Sequence, residues 1–178
     1  APLAEGSRVR TGATARAALT IADVSLRMDV DTRIALVSAN RISLERGAIY
    51  VDSGIDRTTA RTRGALVIDT PAGAVKHLGT QYQVRLSPEA TSVSVREGRV
   101  QIDHPAGTLQ VPPGERIVLG KDGDVQRTHV TDPDAVWGWA VAIAPAFDIE
   151  RQPLSRFLDW AARELGKTLE YESDDVRV

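Results

Sequence analysis

From Ala17 to Val130 the chain alternates apolar and polar residues. In "VSLRMDV", Val24, Leu26, Met28 and Val30 are apolar at every second place, with Ser25, Arg27 and Asp29 between them. Successive side chains of an extended chain leave opposite faces of the pleat, so the run predicts a half-buried strand. The same reading fits Ala17-Leu19-Ile21, Ile42-Leu44, Ile49-Val51, Tyr82-Val84-Leu86, Val93-Val95, Val100-Ile102, Leu109-Val111 and Val125. "LVI" from Leu66 and "RIVL" from Arg116 are shorter and more fully apolar. Turn chemistry separates the runs at "SPEAT" from Ser87, "VPPGE" from Val111 and "GKDGD" from Gly120. About ten short strands at this spacing predict an all-β fold.

Two stretches repeat. "ISLERGAIYVD" from Ile42 to Asp52 returns fifty-one residues later as "VSVREGRVQID", from Val93 to Asp103. Spacing is kept while the charged pair Glu45-Arg46 is reversed to Arg96-Glu97, which marks a structural unit rather than a catalytic motif. Gly47 and Gly98 each lie between two alternating runs, where glycine supplies the positive φ of a hairpin or tight corner. "DTPAGAV" from Asp69 likewise returns as "DHPAGTL" from Asp103, at an offset of thirty-four. Unequal offsets predict irregular coils, a twisted, solenoid-like β layer rather than a closed barrel.

After Thr131 the rhythm changes, which divides the chain into an all-β domain over 1–130 and a tail over 131–178. "DPDAVWGWAVAIA" has Asp-Pro at its head and apolar residues at Val136, Trp139 or Ala140 and Ile143, the spacing of a short helix. Further on, Leu154, Phe157, Leu158, Ala161, Ala162 and Leu165 form one helical face, opposite Arg156, Asp159, Arg163 and Glu164. Gly166 stops that helix. Short strands expected at Phe147–Ile149 and Thr168–Tyr171 make the tail a small, partial β-α-β unit. The helix is expected to spend its apolar face on these two strands, leaving their edges free.

Composition narrows the chemistry. A formal net charge of −2 gives no broad cationic field for nucleic acid or anionic lipid, and the absence of cysteine removes disulfides and thiolate sites. The longest uncharged run, "AVWGWAVAIAPAF", has thirteen residues and is too short to span a bilayer as a helix. The start "APLAEGSRVR" lacks the apolar core of a signal peptide, so the chain reads as a soluble piece of something longer. His77, His104 and His129 are far apart and read as surface or turn histidines, not metal ligands. With no nucleophile elbow and no phosphate loop, the expectation is a protein that is not an enzyme and uses no metal or cofactor. Trp137 and Trp139 have two readings: a wedge between the β region and the tail, or a stacking platform for a sugar or peptide.

"TPAGAVKHLGTQYQVRL", "VSVREGRVQID" and "LQVPPGERIVL" in this order resemble the FecR domain. The motif positions are Thr70, Leu78-Gly79-Thr80, Tyr82, Val84, Val93 to Ile102, Leu109 and Gly114-Glu115, with "ISLERGAIYVD" as an earlier strand pair. Gly47, Gly79, Thr80, Gly98 and Gly114 are its structural residues here. "FDIERQPLSRFLDWAARELGKTLEY" is similar to the first half of the short domain at the N-termini of secretins and TonB-dependent receptors. The resemblance implies the periplasmic part of an inner-membrane (anti-)sigma regulator in cell-surface signalling and the control of iron transport. Its implied partners are the signalling domain of a TonB-dependent receptor and, through a cytoplasmic part absent from this sequence, a sigma factor. The expected partner surface is the pair of strand edges at Phe147, Asp148 and Ile149 and at Thr168, Leu169, Glu170 and Tyr171, where a receptor domain or a second copy in a homodimer would pair. The alternative is a periplasmic domain that binds a glycan or other ligand without a sigma partner.

Overall fold

The computed structural model describes residues 3–21, 24–54, 65–77 and 79–170, and across them the alternating runs become strands. In chain order these are β1 (Arg8–Arg10), β2 (Ala17–Ile21), β3 (Val24–Met28), β4 (Arg33–Ser38), β5 (Arg41–Arg46), β6 (Ala48–Asp52) and β7 (Val67–Thr70). There follow β8 (Gly73–His77), β9 (Gln81–Leu86), β10 (Ala90–Glu97), β11 (Val100–His104), β12 (Gly107–Val111), β13 (Glu115–Gly120) and β14 (Val125–His129). They form two seven-stranded sheets: sheet A in the order β1-β4-β5-β7-β8-β11-β12, and sheet B in the order β14-β13-β10-β9-β6-β3-β2. Neighbours are antiparallel except β5 and β7, which run parallel. Neither sheet closes into a barrel, and the fold is mainly β, as the alternation requires.

The chain winds between the sheets. After β1 in sheet A, β2 and β3 lie in B, β4 and β5 in A, β6 in B, β7 and β8 in A, β9 and β10 in B, β11 and β12 in A, β13 and β14 in B. Except for the fully exposed β14, the strands turn apolar side chains toward the space between the sheets. Leu26, Met28, Ile42, Leu44, Ile49, Val51, Ile68, Val75, Val84, Val93, Val95 and Ile102 are buried there in one cluster. Each such side chain contributes about 1.5–3 kcal/mol relative to exposure, so the core lies between the layers.

Glycines occupy the places where the chain changes sheet. Gly47 (φ 83°), Gly79 (67°), Gly98 (75°) and Gly114 (80°) link β5 to β6, β8 to β9, β10 to β11 and β12 to β13. They are therefore corners between layers rather than hairpin turns. Two are also crowded: a Cβ on Gly98 would fall on the Gly79 carbonyl and the Thr80 methyl, and one on Gly47 would fall on Thr32. The structure lengthens the sequence echo accordingly. Asp31-Thr32 opens β4 as Gly79-Thr80 opens β9, with Asp31 (φ 50°) in the left-handed region that Gly79 takes freely. Each copy is thus a threonine corner, a strand pair and a glycine corner into a third strand. The first copy runs from sheet A into B, the second from B into A.

Beyond β14 two helices follow, α1 (Pro133–Val141) and α2 (Leu154–Leu165). Asp132 caps α1 by accepting from the Ala135 N–H at 3.0 Å, and Gly166 ends α2 in the left-handed conformation (φ 63°). The flanks expected as strands are irregular at 147–149 and 168–170, which corrects the β-α-β reading of the tail; Tyr171 and Leu78 lie outside the described residues. Asp148 accepts from the Glu150 N–H, Gln152 N–H bonds the Ile149 carbonyl, and Arg151 takes a positive φ of 59°, so the first flank is a turn leading into α2. Neither flank has a strand beside it among the described residues, and a segment so short is not extended structure without a ladder partner.

Candidate functional site

The outer face of sheet B carries a polar row. Arg27 on β3 stands opposite Tyr50 on β6, Tyr50 opposite Gln83 on β9, and Gln83 opposite Ser94 on β10. Alternation points these side chains away from the core, yet Arg27 is 1% exposed and Tyr50 fully buried. The tail covers them.

From α1, the Trp137 ring meets the Tyr50 ring edge-on, centroids 6.0 Å apart, and Trp139 Nε1 donates to Gln83 Oε1 at 2.7 Å. Both tryptophans therefore serve the seam between sheet and tail, the wedge of the two readings. Arg27 Nη1 donates to the carbonyl of Ala140 at 2.9 Å, and its guanidinium lies 5.2 Å from the centre of the Tyr50 ring. From α2, Glu164 takes Arg27 in a two-pronged pair, Nη1 to Oε2 at 2.8 Å and Nη2 to Oε1 at 2.6 Å. Arg163 donates to Asp52 and, at 2.6 Å, to Glu97 Oε2. Gln81 Nε2 holds the other Asp52 oxygen at 2.9 Å.

This reverses the expected docking of α2. The helix turns Arg163 and Glu164 inward, while Leu154 and Leu165 remain 63% and 57% exposed and Ile149 before it 64%. The reason is the surface beneath. An apolar helix face laid over Arg27 and Asp52 would strand both charges away from water, whereas an acid and a base side by side at 163 and 164 neutralise them. Phe157 of that apolar face joins a cluster with Phe147 and Trp160, ring centroids 5.7–5.8 Å apart, and Leu158, Ala161 and Ala162 are half-buried.

Asp52 and Arg163 hold their charges. Burial works to raise the Asp52 carboxyl, but hydrogen bonds from Arg163 and Gln81 outweigh it and keep it below the usual carboxylate range. Burial works to lower Arg163, and Asp52 more than offsets it. Burial pushes the Tyr50 phenol up to about 12, so it stays neutral and receives a 3.3 Å hydrogen bond from Arg96.

Of the residues expected to bind a partner, Phe147 is half-buried in the aromatic cluster, Asp148 caps the turn, and Ile149 projects outward. Thr168 and Glu170 are exposed and Leu169 is half-buried. Of the residues that form the seam, Arg27 is read from sequence as a polar position between apolar ones and Glu97 as part of a charged pair, while Tyr50, Asp52 and Gln83 are not singled out. One signal was present: Tyr50 interrupts the alternation of "AIYVD" with a large ring on the outward face.

The histidines divide. His77 is 2% exposed, because it follows Val75 on the inward face of β8, and its Nε2 accepts from the Leu66 N–H at 3.2 Å. This corrects its reading as a surface residue. His104 is half-buried at the end of β11, where its Nδ1 accepts from the Ala106 N–H, and His129 is exposed on β14. Among the described residues no three His, Asp or Glu stand together in a way that could hold a metal ion. No described helix is long and apolar enough to cross a membrane.

Comparison with known proteins gives one family and one fold. The family described as FecR protein matches residues 7–101, just over half of the chain. Two crystal structures of a "putative anti-sigma factor" from Parabacteroides distasonis ATCC 8503, at 1.65 and 2.50 Å resolution, are similar, with TM-scores of 0.63 and 0.61 at 16% and 17% identity. Each likeness covers 89% of this chain and 74% of the other. No curated protein matches the chain.

Proposed function

This chain belongs to the FecR family, and from that premise we propose that it is the periplasmic signal-relay module of a FecR-like (anti-)sigma regulator, acting through protein contact and not as an enzyme. Its signal would come from the signalling domain of a TonB-dependent outer-membrane receptor, in a circuit that controls iron transport. The sigma-factor contact would belong to a cytoplasmic part of the regulator.

One observation carries the reading: α2 docks by its charges and leaves Leu154 and Leu165, at the two ends of its apolar face, exposed. A surface of Ile149, Leu154 and Leu165 beside an aromatic cluster costs solubility unless another protein covers it, and fully desolvated apolar anchors dominate the energy of such contacts. The partner surface is therefore this helix face rather than two strand edges. Trp137 and Trp139 are spent on the seam, so they lend no platform to a glycan.

The test is titration of the chain with the isolated signalling domain of its candidate receptor. Ile149→Asp and Leu154→Asp should each weaken association at least tenfold while leaving the thermal midpoint of the β region in place. Wild-type affinity in both variants would remove this face as the interface.

A further inference from the structure

The reversed charge pair of the longer echo has a structural meaning. On β4 and β5 Ile34 faces Leu44, so an unbroken ladder would set Arg33 opposite Glu45; a β-bulge at Glu45 sets it opposite Arg46 instead. On β9 and β10 a bulge at Arg96 likewise sets Gln81 opposite Glu97. Each row continues onto a third strand, where Arg33 faces Arg10 on β1 and Gln81 faces Asp52 on β6. The bulged residues correspond as well: Glu45 takes Arg8, two places before Arg10, and Arg96 donates to Tyr50, two places before Asp52.

The two rows are equivalent places with different charge. Asp52-Gln81-Glu97 takes Arg163 of α2, which donates to both acids. Arg10-Arg33-Arg46 contains no acid. All three arginines are exposed, and none forms an ion pair with a described residue. Val9 and Ile34 beside them pack on the core, so the row lies on the outer face of sheet A, in the layer opposite the tail.

The strands of sheet A hold three acids, and another cation takes each one: Arg8 takes Glu45, Arg41 takes Asp69 and Lys76 takes Asp103. Asp31, two places before Arg33, still leaves two positive charges in excess when set against the row. Like charges directly opposite on a sheet are destabilising, so the bulge that exchanges Glu45 for Arg46 works against the ladder that contains it. Adjacent strands are about 4.8 Å apart, close to the roughly 5–6 Å between side chains one turn apart on a helix. A helix laid across β1, β4 and β5 therefore offers about one side chain to each strand.

We propose that the Arg10-Arg33-Arg46 row docks an acidic helix of a partner protein, whose carboxylates take the arginines as Asp52 and Glu97 take Arg163. The planar guanidinium fork matches a carboxylate by two parallel hydrogen bonds, which fixes the helix in register with the strands. This contact is separate from the apolar residues of α2 and does not depend on them.

The test is titration of the whole chain with two alanine-based helical peptides, one with glutamate at every fourth position and one with glutamine there, followed by backbone amide shifts at low ionic strength. The glutamate peptide should bind saturably with shifts in β1, β4 and β5, and the glutamine peptide at least tenfold more weakly. Arg33→Gln, at the centre of the row, should weaken the glutamate peptide at least tenfold. Arg41→Gln, whose partner is Asp69, should leave its affinity unchanged. Arg33 is exposed and its replacement removes a like-charge contact, so an equal or higher thermal midpoint will show that the fold persists. No saturable binding, equal binding of the glutamine peptide, or unchanged binding in Arg33→Gln would overturn the assignment. So would co-sedimentation with phosphatidylglycerol vesicles that Arg33→Gln abolishes while the peptide fails to bind, since that outcome gives the row to a membrane surface.

Discussion

Thr32 and Thr80 stand at equivalent corners, but only one has its hydroxyl engaged. Thr32 Oγ1 accepts from the Ala48 N–H at 3.0 Å and lies 3.1 Å from the carbonyls of Val30 and Ala48, whereas Thr80 Oγ1 is buried without a partner. A buried backbone N–H that loses its acceptor costs about 1–3 kcal/mol, while removing an unpaired hydroxyl costs little. Thr32→Val should therefore lower stability to urea by that amount, and Thr80→Val should be neutral or stabilising. The reverse ranking in equilibrium unfolding would show that the second corner, not the first, depends on its hydroxyl.

Glu164 is the sole acid on the buried Arg27 guanidinium among the described residues. Breaking a buried pair by removing one partner costs about 3–5 kcal/mol, because the remaining charge stays out of water. Glu164→Ala should release α2 while the sheets stay folded. Hydrogen exchange should then show the amides of 154–165 losing protection and those of β6 and β9 retaining it. Arg27→Met combined with Glu164→Leu should restore protection. If α2 keeps its protection in Glu164→Ala, its docking depends on something other than this pair.

Gly98 and Gly114 allow the conformational cost of a corner to be separated from its steric cost. Both have positive φ, but a Cβ on Gly114 meets nothing within 4 Å. Gly114→Ala should cost about 1 kcal/mol for the left-handed conformation alone. Gly98→Ala should cost clearly more, since the new atom falls on the backbone of Gly79. Equal thermal midpoints for the two variants would contradict the close packing of the Gly79 and Gly98 corners.

His77 should give the fold a pH dependence near neutrality. Burial lowers its pKa from the usual 6.5, so the unfolded chain binds the proton more readily than the folded one. The stability from neutral His77 is fully present above about pH 6.5 and falls as pH drops below it, since no acid among the described residues faces the ring to favour the charged form. Protonation would also remove the acceptor that holds the Leu66 N–H. Urea midpoints measured from pH 8 to pH 5 should decline for the wild type and stay flatter for His77→Gln; parallel curves would assign the dependence to other groups.

Sheet architecture was legible in the sequence because each strand faces two environments and alternation records both. The bounds of α2 were equally plain, with periodic Leu154 to Leu165 inside and Gly166 at the end. Which face the helix would bury was not. Amphipathic spacing identifies two faces but not the surface that receives them, and that surface depends on Arg27 and Asp52, more than a hundred residues from their partners. The flanks at 147–149 and 168–170 have apolar residues suited to strands, but a strand needs a neighbour, and none is written locally. His77 misled for a smaller reason: the run from Gly73 is too brief for alternation to outweigh the habit of placing histidine at the surface.

The alternation between sheets also constrains how such a chain can change length. Removing one hairpin would send every later hairpin to the opposite layer, exchanging its buried and solvated environments. Removing two in succession, one from each layer, restores the parity. Lineages of this fold should therefore gain or lose material in whole coils, while a single surplus hairpin survives only as a loop outside the ladder. The two copies of the longer echo, which begin in opposite layers, would be out of phase in any simple tandem copy. What separates them, the hairpin of β7 and β8, is the half-coil that sets their phase.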